Sequence, residues 1–322
     1  MNPYQRAWST FLFFGFCLPV WADIYPNKSV RILVGFAPGG GTDIVSRLIG
    51  HKLTEFMGQG FIVDNRAGAA GTIAADLTAK SPADGYTLMM GHVNSHAIAP
   101  NLYKKLPYDP VRDFATVAYI GYVPNVLVIH PSLPTTTLSQ LILLARSKPG
   151  LLTFASSGVG STQHLAGELF QLTTKVKMVH VPYKGVAPAI TDVIAGHVDG
   201  IFIDIPVALA HIKAGNLKAL GLAAPQRHAT LPDTKTFQEV GIKGVDSANW
   251  YAIYAPKGTP VAELERINQA VRRTLANPTV KSAMLAIGAE PSPSTRADLG
   301  KLLKSDLDKW QRVIRDKKIT AD

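Results

Sequence analysis

Cysteine is nearly absent from this chain: Cys17 is the only one, and it sits in an apolar opening segment. Without that segment there is no thiol at all. This excludes a disulfide framework, thiolate catalysis and a cysteine-ligated metal, and it suits an oxidising compartment. Past the opening segment there is no apolar run of the roughly 20 residues that a spanning helix needs. No low-complexity tract, Lys/Arg-rich block or basic stripe interleaved with aromatics is found either. The formal net charge of +10 is therefore not the footprint of a nucleic-acid binder. It favours a small anionic partner.

The opening segment has the layout of a secretory leader. Arg6 is its only charge, and an apolar core from Phe11 to Val20 follows, then Trp21 and Ala22. Residues 1–22 are expected to be removed, with the cut after Ala22. A membrane anchor is the competing reading, but the run is short and contains Pro19. Lipid attachment at Cys17 is disfavoured by the bulk of Phe14-Gly15-Phe16. The leader takes one arginine and no acid with it, so the mature chain stays basic. The expected location is the periplasm.

The remaining length, roughly 300 residues, corresponds to about two domains. With 47% hydrophobic residues, two cores can be filled. After Pro26, short apolar strands alternate with amphipathic helices. Strands are expected at Val30–Phe36, Phe61–Val63 and Thr87–Met90. The pattern restarts with strands at Val126–His130, Leu152–Ala155, Met178–Val181, Ile201–Ile203 and Leu217–Leu222. A late strand is expected at Trp250–Ala255, and everything from Val261 to about Ile314 reads as helical. Such alternation implies βαβ units, an α/β class and mostly parallel sheets. Two α/β halves with crossings near Tyr122–Asn125 and Asp246–Asn249 give the expected division: lobe 1 from 23–123 plus 248–322, lobe 2 from 124–247. Ligands of parallel sheets bind outside the strands' carboxyl ends, so the cleft between lobes is the expected site.

Glycine-rich turns recur where strands pass into helices: Phe36-Ala37-Pro38-Gly39-Gly40-Gly41-Thr42-Asp43, Asn65-Arg66-Ala67-Gly68-Ala69-Ala70-Gly71-Thr72 and Ser156-Ser157-Gly158-Val159-Gly160-Ser161-Thr162. Each presents unobstructed backbone N–H groups at a helix start, a ready anion site. One such turn is most simply a tight turn. Hydroxyl-bearing turns at matching places in two lobes favour binding.

Enzyme motifs fail at specific residues. No turn carries the lysine of a phosphate loop, and Gly158-Val159-Gly160-Ser161-Thr162-Gln163 lacks the third glycine of a dinucleotide fingerprint. Ser157 and Ser161 lack the glycine pair of a nucleophile elbow. His164 is expected to pack or hydrogen-bond rather than act as a base. His92 and His96 have no metalloprotease glutamate between them and read as loop residues. Neither metal nor cofactor is called for.

With these turns in view, the chain resembles the Bug-type substrate-binding receptors of tripartite tricarboxylate transporters. The resemblance covers essentially the whole mature chain. It is carried by Val34-Gly35-Phe36-Ala37-Pro38-Gly39-Gly40-Gly41-Thr42-Asp43, Asn65-Arg66-Ala67-Gly68, Asp84-Gly85-Tyr86, Tyr108-Asp109-Pro110, Gly158 to Glu168, Val181-Pro182-Tyr183-Lys184-Gly185, His211 to Leu217 and Ala255 to Pro260. One departure is Asn249 before Trp250, at the hinge, where the family pattern puts glycine. The resemblance implies a two-lobed periplasmic binding protein of the type II, Venus-flytrap kind. It implies a small carboxylate gripped between the lobes, partly through ordered waters, and permease subunits in the membrane as partners of a monomeric receptor. Residue by residue, Phe36 offers an apolar wall, and Ala37, Pro38, Gly39 and Gly40 offer backbone donors. Asp43 caps the helix and orients a water. Ser157, Gly160, Ser161 and Thr162 are donors from the second lobe. Asn65, Tyr183 and Asp204 are further candidates, and Asp204 would face an ammonium group or simply cap the next helix. Two other functions compete: a receptor reporting to a membrane sensor, and a secreted enzyme in the same cleft. The enzyme is disfavoured because no acid–base pair or nucleophile is identifiable.

Overall fold

Val30-Arg31-Ile32-Leu33-Val34 is extended because its apolar residues are covered on both faces, and only Arg31 reaches solvent. In a computed structural model that describes residues 25–320, this strand, β1 (Val30–Val34), opens an α/β chain. The leader expected over 1–22 lies outside the described residues. The first half continues with α1 (Gly41–Met57), β2 (Phe61–Asn65), α2 (Thr72–Ala79), β3 (Thr87–His92), α3 (Ala99–Leu102) and β4 (Phe114–Val123). Next come β5 (Asn125–Ile129), α4 (Leu138–Ser147), β6 (Thr153–Ser156), α5 (Thr162–Thr174), β7 (Val179–Pro182), α6 (Val186–Ile194), β8 (Gly200–Asp204), α7 (Ile205–Lys213) and β9 (Lys218–Ala223). The chain ends with β10 (Asn249–Pro256), α8 (Val261–Ala276), α9 (Pro278–Ala286), β11 (Glu290–Pro291) and α10 (Arg296–Asp316).

These strands form two sheets of matching order, β11-β4-β10-β3-β1-β2 and β7-β6-β8-β5-β9. In each, three parallel strands are followed by one reversed strand, β10 or β5, and then by a strand antiparallel to it. The reversal has a simple cause. The chain changes sheets at the carboxyl ends of the strands, so the first strand after each change starts there and must run the opposite way. The change from β4 to β5 spans Pro124 alone. The sheets are thus mixed rather than mostly parallel as expected: β5 is the reversed strand of the second sheet, while in the first both β10 and β11 run against the rest.

Three elements differ from the sequence expectation. β4 was not anticipated: it carries Gly121 at φ 154° and pairs with β10 through two register shifts, which blur any period-two pattern. The tail is not purely helical, since β11 pairs with β4. His92 and His96 are not loop residues: His92 ends β3, and His96 lies in a π-helical turn, Asn94–Ile98. Both are buried, and burial pushes their imidazoles down to about 3, so they are neutral packing groups at neutral pH. His96 stacks on Tyr254 with ring centroids 4.1 Å apart.

The main apolar cluster runs from one sheet into the other. Met89 and Tyr254 belong to the first sheet, Val126 and Ile203 to the second, and Trp310 and Ile314 of α10 join the same cluster. α10 is also pinned by polar bonds. Trp250 Nε1 donates to Asp306 Oδ2 at 2.6 Å, and Lys317 Nζ lies 2.7 Å from Glu168 Oε2 on α5. One helix therefore ties the two halves together on the side formed by α5.

Candidate ligand-binding site

The turn after β1 is built around Asp43. Its carboxylate lies in the first turn of α1, but it does not cap that helix. The N-cap is Gly40, and no side chain caps it. Instead Asp43 Oδ2 accepts from the Gly39 N–H at 2.9 Å and from Arg47 Nε at 3.0 Å, while Oδ1 accepts from Asn65 Nδ2 at 2.9 Å. Burial would raise this carboxyl, but the donors from Arg47, Gly39 and Asn65 outweigh it and hold it below the usual carboxylate range. Asn65 also donates to the Phe36 carbonyl at 3.0 Å, closing a latch across the turn. Gly39 sits at φ 83°, which a side chain would oppose.

This geometry corrects the expected donor set. Pro38 has no N–H to offer, and the Gly39 N–H is spent on Asp43. The N–H groups of Ala37, Gly40, Gly41 and Thr42 form no bond among the described residues. The uncommitted N–H groups of the turn are thus those of Ala37 and of residues 40–42 at the start of α1. Phe36 packs edge-on against His92 at 5.0 Å, and His92 stands 5.5 Å from Tyr251, so three rings make one wall.

The turn after β6 spends its own donors in the same way. Gly160 donates its N–H to His164 Nδ1 at 3.1 Å, and Ser157 Oγ donates to Gln163 Oε1 at 2.8 Å. Ser161 Oγ caps α5 by accepting from the His164 N–H, and the Ser161 N–H goes to the Gly158 carbonyl. His164 lies flat on His180, ring centroids 3.8 Å apart, and His180 Nε2 is 2.6 Å from Ser156 Oγ. Desolvation, then each other's proximity, pushes His164 down to about 3, and desolvation pushes His180 to about 4. His164 is therefore the neutral acceptor that shapes the turn. The N–H groups of Thr162 and Gln163 and the Thr162 hydroxyl form no bond among the described residues.

Across the cleft, Ser157, Gly160 and Ser161 line a cavity of about 200 Å³ with Ala70, Asn94 and Tyr103 of the first half. Asn94 Oδ1 is buried there without a partner. Gly160, at φ 76°, lies so close to Leu102 that a Cβ would collide with it. A second cavity of about 300 Å³ holds Gly41 and Tyr251 on one side and Asp204 and Val207 on the other. The two turns thus line two cavities, each walled by both halves of the chain. Tyr183 lines neither, and its hydroxyl donates to Asp192 Oδ2 at 2.6 Å.

Asn94, Tyr103 and Tyr251 are cleft residues the sequence reading did not single out, and Gly41 entered it only as part of its turn. Asn94 follows the carboxyl end of β3, and that position is the signal that could have flagged it. Asn249, the departure from the expected glycine, adopts an ordinary strand conformation and uses its side chain: Nδ2 donates to Asp204 Oδ1 at 2.7 Å.

The description "Tripartite tricarboxylate transporter family receptor" belongs to the family whose sequence profile matches residues 45–319. Protein BugT of Bordetella pertussis is 36% identical over 303 residues, covering 94% of this chain and 93% of BugT. Among solved structures, Rpa4515 of R. palustris with adipate superposes with a TM-score of 0.77 at 36% identity, covering 92% of this chain and 99% of that one. MatC from Rhodopseudomonas palustris with bound malate gives 0.73 at 32% identity, covering 90% and 100%. The architecture is that of the two-lobed periplasmic solute-binding proteins, and the chain belongs to the tripartite tricarboxylate transporter receptor family.

Proposed function

We propose that this receptor captures a small carboxylate in the periplasm and delivers it to the membrane permease of a tripartite transporter. The lobes are 23–123 plus 248–322 and 124–247, and they close about the two crossings. The observation that carries the reading is the pair of uncommitted helix starts. Gly40, Gly41 and Thr42 offer N–H groups at α1, and Thr162 and Gln163 offer them at α5, each helix following the carboxyl end of a strand, and Gly41 and Ser161 at these starts line cavities walled by both halves. A helix start favours an anion through both its free donors and its dipole. Phe36 supplies the apolar wall. Adipate in one relative and malate in another are ligands of the class such a site would hold.

The energetics suffice. Micromolar binding needs roughly −8 kcal/mol. Charge-assisted hydrogen bonds contribute about 1.5–3 kcal/mol each, so three or four of them with one apolar wall reach that level.

The test is a thermal-shift panel of mono-, di- and tricarboxylates, amino acids and aromatic acids on the mature protein. A true ligand at 100 times its dissociation constant stabilises by about 2.7 kcal/mol and is recovered unchanged. A panel with no responder, or a responder converted to product, contradicts the reading.

A further inference from the structure

Asp204 ends β8 and occupies the N-cap position of α7, where aspartate is among the preferred residues because its carboxylate can accept from the helix's first N–H groups. Here it does not cap. Its Oδ1 is turned away and accepts two amides, Asn125 Nδ2 at 2.6 Å and Asn249 Nδ2 at 2.7 Å. These are the first residues of β5 and β10, the strands that open each crossing between sheets. Asn125 is itself bonded by Ser247 Oγ at 3.3 Å. The carboxylate is thus held from two separate parts of the chain, one of them braced by Ser247.

Its other oxygen accepts nothing among the described residues, and no cation stands within ion-pair distance of it. The cavity it lines is otherwise apolar on its own side, with Pro206 and Val207, and carries Val123, the Tyr251 ring and the start of α1 at Gly41 on the other. Tyr251 Oη is close to Gly41: a Cβ there would lie 3.1 Å from it. One cavity therefore has a helix start that favours negative charge and a lone carboxylate that favours positive charge. Asp204 is only partly buried and lines this cavity, so the oxygen that its two amide donors leave free is accessible to a bound cationic group. A metal ion does not answer the geometry, since no group of three His, Cys, Asp or Glu side chains gathers among the described residues.

We infer that Asp204 is a specificity residue that receives a protonated amine of the ligand, so that the captured molecule is an amine-bearing carboxylate with its acid group at the start of α1. The inference rests on the carboxylate-capture reading and narrows it. A plain dicarboxylate would instead set its second acid against Asp204.

Calorimetric titration of the mature protein with matched pairs tests this: propionate and alanine, succinate and aspartate, glutarate and glutamate, phenylacetate and phenylglycine. The amine-bearing member of the binding pair should be tighter by about tenfold or more, the worth of one charge-assisted hydrogen bond. Asp204→Asn should erase that preference, bringing the affinities of the two members of the pair to within about threefold of each other. Equal or tighter binding of the des-amino member by the wild type overturns the inference and leaves carboxylate capture standing. So does a preference that survives in folded Asp204→Asn. If that variant does not fold, the wild-type pairs decide alone. Failure of every compound to bind would overturn carboxylate capture and this inference together.

Discussion

Asn249 donates its side-chain N–H to the Asp204 carboxylate at 2.7 Å, joining the strand that returns to the first sheet with the end of a central strand of the second. Removing one donor from a buried acceptor costs about 1–3 kcal/mol. Asn249→Gly, which restores the residue the family pattern puts here, should therefore lower unfolding free energy by about that amount. Urea denaturation checks it. Unchanged stability would show that the bond contributes nothing to the fold.

Burial pushes the Asp204 carboxyl up to about 6, with Asn249 and Asn125 pulling it back only in part. A raised folded value means that the folded state holds its proton more tightly than the unfolded chain. The contribution is complete below about pH 4 and is lost as pH rises through about 6. Wild-type stability relative to Asp204→Asn should therefore improve by about 2–3 kcal/mol between pH 7 and pH 4, in the absence of ligand. Paired denaturation curves at the two pH values measure it, and a difference independent of pH would contradict it.

Gly160 and Leu102 meet across the cleft. A side chain at Gly160 would be strained at φ 76° by about 1–2 kcal/mol and would strike Leu102. Gly160→Ala should weaken ligand binding by roughly tenfold, and Leu102→Ala in the same chain should restore part of the loss. Titration of the single and double variants decides it. No rescue would mean that backbone strain alone acts.

Asp43 holds the first turn through Gly39, Arg47 and Asn65. Asp43→Asn keeps the shape but removes the charge and turns one acceptor into a donor. It should loosen residues 36–40, with faster amide exchange there, and weaken binding by about tenfold. Exchange confined to other segments would show that the latch lies elsewhere.

The alternation that marks an α/β chain was legible, because apolar strand runs and helical spacing are local signals. β4 escaped because Gly121 and the register shifts against β10 break the alternation. In the turns, glycine spacing located the helix starts but hid which N–H groups were free. The partners of Gly39 and Gly160 are side chains four residues later, Asp43 and His164, and their direction is settled only by packing. Asp204 read as a cap or an ammonium partner. What turns it from its own helix is Asn125 and Asn249, residues far away in the sequence that only the fold brings near.

Gly40 gives the most direct test of the central claim that a ligand carboxylate rests on the start of α1. It has an ordinary φ of −78°, and an added Cβ would meet only the Ala37 carbonyl, at 3.6 Å. A side chain there is tolerated by the fold, while an aspartate places negative charge where the ligand's carboxylate should lie. Titrating the panel's best carboxylate into wild type and Gly40→Asp should show affinity falling by about a hundredfold or more with the ligand-free melting temperature nearly unchanged. Retained affinity in Gly40→Asp would place the carboxylate elsewhere and contradict the account.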